Sequence, residues 1–123
     1  MNAGIPKNIA VVSLRAENLP EAVHFYRDVL GLSLLPYHAG GRPHFKIGGV
    51  YLVILSGTPQ PAGQERFPAL AFAVDDLEAA AANLTAHQVE LPWGIESDGP
   101  GRWVMFHDPA GNLLELVQVE AQS

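Results

Sequence analysis

The sequence contains the same order of structural signals twice, and this internal repeat is the strongest constraint on its fold. An apolar, strand-like run over residues 9–16 precedes a helix that starts after Asn18, and a similar run over residues 69–74 precedes a helix that starts after Asp75 or Asp76. In each helix the apolar residues recur at the spacing of one helical face. Each half has only about 50–55 residues and buries little on its own. The two copies are therefore expected to fold together.

Three further strand-like segments follow each helix. They cover residues 32–36, 44–47 and 50–55 in the first half, and residues 89–93, 102–107 and 112–119 in the second half. Gly48-Gly49 and Asp108–Gly111 supply turn residues before the last strand of each half. The pattern predicts an α+β fold with two βαβββ modules in a single domain over residues 1–123. The predicted bounds are about 7–57 for module one, 58–66 for a linker and 67–120 for module two.

The composition excludes several classes of function. Charged residues make up 16% of the 123 residues and hydrophobic residues 48%, which is unlike a disordered chain. The net charge of −6 opposes binding to a phosphate backbone, so no nucleic acid partner is expected. The chain has no cysteine, and therefore no disulfide or cysteine nucleophile. The absence of a long apolar run predicts a cytoplasmic protein with no signal peptide and no membrane partner.

Two segments resemble motifs of a known family. Residues 25–32 read FYRDVLGL and residues 108–116 read DPAGNLLEL. In this order they resemble the vicinal oxygen chelate superfamily, which includes glyoxalase I, bleomycin-resistance proteins, fosfomycin-resistance enzymes and extradiol dioxygenases. The resemblance covers roughly residues 8–119. It implies paired βαβββ modules whose curled sheets form a cleft, usually in a homodimer.

The resemblance also implies where a metal ion would bind. Enzymes of this superfamily hold a divalent metal through His, Gln or Glu side chains on the first and last strands of each module. Carried over to this sequence, those four positions fall on Val11, Ile54, Ala69 and Glu115. Only Glu115 has a ligand atom, and a lone carboxylate does not hold a divalent ion. The family's metal site is therefore expected to be missing, and no cofactor is expected.

A different metal site would have to come from the histidines. His24 is expected on a solvated helix face, and His87 near the end of the second helix. His38, His44 and His107 are the remaining candidates for a divalent metal site, although their spacing matches no known ligand motif.

Strand alternation predicts the lining of the cleft, because every second residue of a strand faces the same side. The predicted lining residues on the strands are Val11, Ser13, Arg15, Leu52, Ile54, Ala69, Ala71, Leu113 and Glu115. The aromatic candidates for contact with a flat ligand are Phe45, Tyr51, Trp93 and Trp103. The loops over residues 37–43 and 94–101 are expected to set specificity. Such a lining is mostly apolar and suits a small organic ligand.

Three functions remain open at this point. The first is a metal-independent protein that binds a small organic molecule, much as bleomycin-resistance proteins bind their drug. The second is a metal-dependent lyase, isomerase or dioxygenase with an atypical ligand set. The third is a metal-free enzyme that uses Glu115 as a base. Glu115 is alternatively an anchor for a cationic ligand or the partner of Arg15 in an ion pair.

Overall fold

The computed structural model describes residues 3–59 and 66–119 of the chain. The chain divides into two compact units, Met1–Thr58 and Pro59–Ser123, which we call module one and module two. Most of the predicted linker lies outside the described residues. Each module contains one four-stranded sheet and one main helix. The predicted α+β fold with two βαβββ modules is confirmed.

Module one follows the order that the repeat predicted. Its elements are β1 (Val11–Ala16), α1 (Leu19–His24), a π-helical turn (Phe25–Val29), β2 (Ser33–Leu34), β3 (His44–Ile47) and β4 (Val50–Ser56). The strand order across the sheet is β1-β4-β3-β2. Strands β1 and β4 are parallel, whereas β3 is antiparallel to both β4 and β2.

The start of α1 has a simple cause in the sequence. The Asn18 side chain accepts a hydrogen bond from the backbone N–H of Glu21 at 3.0 Å, which satisfies one of the unpaired donors at the helix start. The last turn then widens, because the Leu30 N–H bonds to the carbonyl of Phe25 at 3.0 Å. The helix packs on one face of the sheet, where the Tyr26 ring lies 5.8 Å from the ring of Phe45.

Module two repeats the architecture. Its elements are β5 (Leu70–Ala73), α2 (Leu77–Ala86), β6 (Ile95–Asp98), β7 (Gly101–His107) and β8 (Leu113–Val119). The strand order is β5-β8-β7-β6, with β5 and β8 parallel. Of the two candidate caps, Asp76 is the one that caps α2, because its side chain accepts from the Ala79 N–H at 3.0 Å.

One predicted strand of module two is wrong. Residues 89–93 form no strand. The edge strand that pairs with β7 is instead β6, which lies inside the segment predicted as a loop. The physical reason lies at the end of α2. Gln88 has a positive φ of 64°, and the Val89 N–H bonds back to the Leu84 carbonyl at 3.0 Å. A turn then closes between Leu91 and Gly94, so the chain becomes extended only after this turn.

The turn between β7 and β8 is built around a buried carboxylate. Asp108 is 5% exposed, and its Oδ1 accepts hydrogen bonds from the N–H groups of Ala110 and Asn112 at 3.0 and 2.8 Å. Gly111 has a φ of 100°, which a residue with a side chain rarely adopts. These contacts explain why the sequence DPAGN forms a tight turn at this point. The turn thereby sets the start of β8, the strand that carries Glu115.

Candidate functional site

The sheet of each module has one face against its helix and one opposite face, which we call the distal face. In β1 the exposed side chains are Val11, Ser13 and Arg15, whereas Leu14 and Ala16 are buried on the helix side. The predicted alternation of the first strand is therefore present, with Val11, Ser13 and Arg15 on the distal face of module one.

Three predicted lining residues lie on the wrong face. The parallel register pairs Leu52 with Val12 and Ile54 with Leu14, and paired residues share a face of the sheet. Leu52 and Ile54 are 0% and 1% exposed and belong to the core against α1. Phe45 pairs with Leu52 in the same core and is 0% exposed. The prediction for Leu52 and Ile54 was wrong by one position along β4. The prediction for Phe45 was wrong because its ring packs on the ring of Tyr26.

The register also corrects the carried-over ligand position on β4. In module two Ala71 pairs with Glu115, and in module one Ser13 pairs with Val53. Ser13 and Ala71 each lie two residues after the carried-over positions on the first strands, so Val53 is the counterpart of Glu115. Tyr51, Val53 and Leu55 in β4 are the residues that share the distal face with β1.

The donor set of the family's metal site does not fit a divalent ion in this chain. With the corrected register, the four positions hold Val11, Val53, Ala69 and Glu115, and only the last offers a ligand atom. Metal sites in proteins need at least three protein ligands, or two carboxylates and a substrate. Within residues 3–59 and 66–119, no group of three or more His, Asp or Glu side chains is arranged to hold an ion.

Four of the five histidines each contact a different neighbouring group. The His24 Nδ1 lies 2.9 Å from the Asp28 carboxylate, and the His87 Nδ1 lies 2.9 Å from the Asn83 carbonyl. The His44 Nδ1 lies 2.6 Å from the Arg42 carbonyl. The ring of His107 lies 6.5 Å from that of Trp93 in module two.

The distal face of module two combines small residues, aromatic rings and two carboxylates. Glu115 pairs with Ala71 on one side and with Met105 on the other. Trp103 lies two residues before Met105 in β7 and pairs with Glu96 of β6, so these side chains share the face. Sequence reasoning missed Glu96, because β6 was not predicted.

Glu115 is a partly buried carboxylate with no hydrogen bond or ion pair in the described part of module two. Burial raises the pKa of the Glu115 carboxyl group, and the negative charge of Glu96 raises it further. Glu96 itself is paired, since its Oε1 lies 3.1 Å from the Nη1 of Arg66. The Arg66 guanidinium also lies over the ring of Trp93, 4.7 Å from its centroid.

Trp103 provides an unused donor on this face. Its indole Nε1 is buried and has no hydrogen-bond acceptor in the described part of the chain. A buried N–H without an acceptor is costly, and native proteins usually satisfy such groups with protein, water or ligand atoms. The second tryptophan, Trp93, lies on the segment that precedes β6 and is 40% exposed.

Module one contains a pocket of about 360 Å³ at the ends of β1 and β4. Two arginines line this pocket, which we call the arginine pocket. Its lining residues are Arg15, Leu19, Gly40, Gly41, Arg42, Leu55 and Ser56. Arg15 was predicted from strand alternation. Gly40, Gly41 and Arg42 come from the loop over residues 37–43, which the sequence indicated only as a segment that sets specificity.

These features define a class of protein. The chain belongs to the Glyoxalase/Bleomycin resistance protein/Dioxygenase superfamily, whose family model matches residues 8–116. No helix in the described residues is long and apolar enough to cross a membrane.

Three particular relatives show how varied this superfamily is. The chain is 29% identical to the uncharacterized protein YaeR of Escherichia coli (strain K12), with 91% of this chain and 96% of that protein covered. It is similar to TnmS3, an antibiotic binding protein from Streptomyces sp. CB03234, with 27% identity, a TM-score of 0.77 and coverage of 94% and 98% of the two chains. It is also similar to a lactoylglutathione lyase from Agrobacterium tumefaciens, with 25% identity, a TM-score of 0.74 and coverage of 92% and 94%.

Proposed function

We propose that this protein binds a small organic molecule without a metal ion. The observation that carries the proposal is the chemistry of the four family ligand positions, three of which are Val11, Val53 and Ala69. These apolar side chains cannot ligate a metal ion. Val11 and Ala69 are exposed and offer a surface for carbon atoms, whereas Val53 is 8% exposed. The similarity to an antibiotic binding protein gives independent support, because it shows that this fold also serves proteins that hold an organic compound.

The distal face of module two is the surface that we assign to the organic molecule. Trp103 and Met105 provide aromatic and polarisable contacts there, and Ala71 leaves space next to Glu115. Glu115 supplies a single acceptor in partly apolar surroundings, which suits a cationic group or a hydrogen-bond donor on the ligand.

Binding of a set of aromatic compounds with cationic, neutral and anionic substituents would test this proposal. Both tryptophans lie in module two, so quenching of tryptophan fluorescence reports on the proposed surface. We expect saturable binding of a cationic aromatic compound that weakens by about tenfold in Glu115→Gln. Glu90→Gln is the matched control, because Glu90 is exposed and lies outside both sheets. Equal affinity in wild type and Glu115→Gln would remove the role of Glu115 as the anchor.

The metal-independent part of the proposal has its own test. The purified protein, without an affinity tag, is incubated with Zn, Mn, Fe or Ni salts, desalted and analysed by mass spectrometry. We expect the metal content to stay far below one equivalent, and ligand binding to be the same with and without a chelator. A near-stoichiometric metal content would contradict the proposal and favour a metal-dependent lyase, isomerase or dioxygenase.

A second candidate function is metal-free proton transfer with Glu115 as the base. The observation in its favour is the raised pKa of Glu115, since a carboxylate that holds its proton more tightly is a better base near neutral pH. The two functions differ in a direct way. A turnover that survives a chelator and is lost in Glu115→Gln would favour the enzyme, whereas binding without turnover favours the binding protein.

A further inference from the structure

Two arginines line the arginine pocket of module one, although the chain as a whole is acidic. The chain has 7 Lys and Arg against 13 Asp and Glu, for a net charge of −6. Nevertheless, Arg15 and Arg42 both line one pocket, together with the hydroxyl-bearing Ser56. No Asp or Glu is among the pocket's lining residues in the described part of the chain. Two guanidinium groups beside one cavity favour a negatively charged occupant.

Three arginines that do not line the pocket form ion pairs with carboxylates. Arg27 forms a two-pronged contact with Asp28, with both N···O distances at 2.9 Å, and Arg102 pairs with Glu78. Arg66 pairs with Glu96. These three pairs lie outside the arginine pocket. Arg42 lines the pocket and forms no ion pair with a carboxylate within residues 3–59 and 66–119.

The loop that carries Arg42 is closely packed. The Gly41 N–H bonds to the His38 carbonyl at 2.8 Å, and a Cβ at Gly41 would come within 2.9 Å of that oxygen and 3.3 Å of the His38 ring. A side chain at position 41 therefore cannot be added without moving the turn. Glycine at position 41 thus allows the tight turn, and this turn places the next residue, Arg42, at the pocket.

We propose that the arginine pocket binds an anionic group, a carboxylate or a phosphate, on an organic ligand. Guanidinium groups bind carboxylates and phosphates through paired, charge-assisted hydrogen bonds. A volume of about 360 Å³ holds such a group together with part of the attached molecule. This inference rests on the proposed function, because it assigns a charged group to the ligand class that the protein binds.

The test is an NMR titration of the full chain with three phenyl compounds of similar size, phenyl phosphate, benzoate and benzyl alcohol, at constant ionic strength. Amide ¹H–¹⁵N spectra report each residue separately. We expect saturable shifts of the Gly40, Gly41 and Ser56 amides with phenyl phosphate or benzoate, and none with neutral benzyl alcohol. The comparison of the two anions shows whether the pocket prefers a carboxylate or a phosphate, and inorganic phosphate shows how much the ring contributes.

Charge-removing variants decide whether the pocket is responsible. Arg42→Gln and Arg15→Gln are each expected to weaken binding of the anion by about tenfold or more. Arg27→Gln is the matched control, since it removes the same charge from an exposed arginine of the same module outside the pocket. Spectra of the remaining residues verify that each variant is folded. Unchanged affinity in Arg42→Gln and Arg15→Gln, equal weakening in Arg27→Gln, or shifts confined to other residues would each overturn the proposal.

Failure of this inference can be told apart from failure of the proposed function. Anion binding at the arginine pocket is read from amides of module one, whereas binding of the organic molecule is read from the two tryptophans of module two. Organic ligands that bind with equal affinity with and without an anionic group would overturn the inference and leave the proposed function intact. Anion-dependent shifts in module one without any tryptophan response would support the pocket and remove the proposed surface in module two.

Discussion

Replacement of Asp108 by alanine should destabilise module two by about 3 kcal/mol. The Asp108 Oδ1 accepts from the backbone N–H groups of Ala110 and Asn112, and its Oδ2 accepts from the Asn112 side-chain amide at 2.9 Å. A hydrogen bond contributes about 1 kcal/mol to stability, and more when the acceptor is charged. The side chain is buried, so water replaces these bonds incompletely.

Two further variants separate hydrogen bonding from charge. Asp108→Asn keeps an oxygen for the two backbone N–H groups, and the Asn112 amide can rotate to present its own oxygen. We therefore expect Asp108→Asn to cost about 1 kcal/mol. Asp98→Ala is the matched control, because it removes a carboxylate from an exposed position at the β6–β7 turn of the same module, and it should change stability by less than about 0.5 kcal/mol.

Urea unfolding followed by tryptophan fluorescence measures the changes in the free energy of unfolding of module two. Trp93 and Trp103 are the two tryptophans of the chain, so the signal reports module two. Far-ultraviolet circular dichroism of the same samples reports both modules. The reasoning would be refuted if Asp108→Ala were as stable as Asp98→Ala, or if Asp108→Asn were as damaging as Asp108→Ala.

Three shorter predictions concern charge and packing. Burial holds the pKa of the Glu115 carboxyl above its ordinary value of 4.5, so the native state binds this proton more tightly than the unfolded chain does. The stabilisation from this proton is present below pH 4.5 and is lost as the pH rises. Glu115→Gln should therefore stabilise the protein at pH 7 by less than about 1 kcal/mol and have no such effect in acid, as thermal unfolding at several pH values would show. The hydrogen bond from Arg27 lowers the pKa of Asp28 to about 2, so a carboxyl NMR titration should rise toward the ordinary range in Arg27→Gln. Leu52→Ala should cost about 2–5 kcal/mol in urea unfolding because the side chain is fully buried, whereas Val11→Ala, on the exposed face, should cost less than about 1 kcal/mol.

The repeat made the fold predictable from sequence, because helix caps and strand periods are local signals. Asn18 and Asp76 act through their own side chains on the next turn, and β3 has the bounds that the sequence indicated. The position of β6 was not predictable in this way. The end of α2 depends on a backbone bond from Val89 to Leu84 and on a positive φ at Gln88, a residue whose type gives no signal for that conformation.

The candidate site was less predictable than the fold, because it depends on pairing between strands. A shift of one residue along a strand moves a side chain to the opposite face of the sheet. Counting back from a motif placed the β4 ligand position on Ile54, whereas the pairing of Ser13 with Val53 places it one residue earlier. Glu96 was missed because β6 was not predicted, and its effect on the pKa of Glu115 arises across the sheet and not along the chain.

The two distal faces differ at the position where enzymes of the superfamily carry a metal ligand on the last strand of each module. At equivalent pairing positions module one has Val53 and module two has Glu115, so the repeat keeps its backbone while the donor atoms differ. Within the described residues Glu115 has no hydrogen bond or ion pair, and its burial disfavours the charged form that it takes at neutral pH. A valine at position 115, as in the equivalent place of module one, would satisfy the same strand pairing at no electrostatic cost. We therefore expect Glu115 to serve ligand binding more than the stability of β8, which the Glu115→Gln variant tests by both readouts.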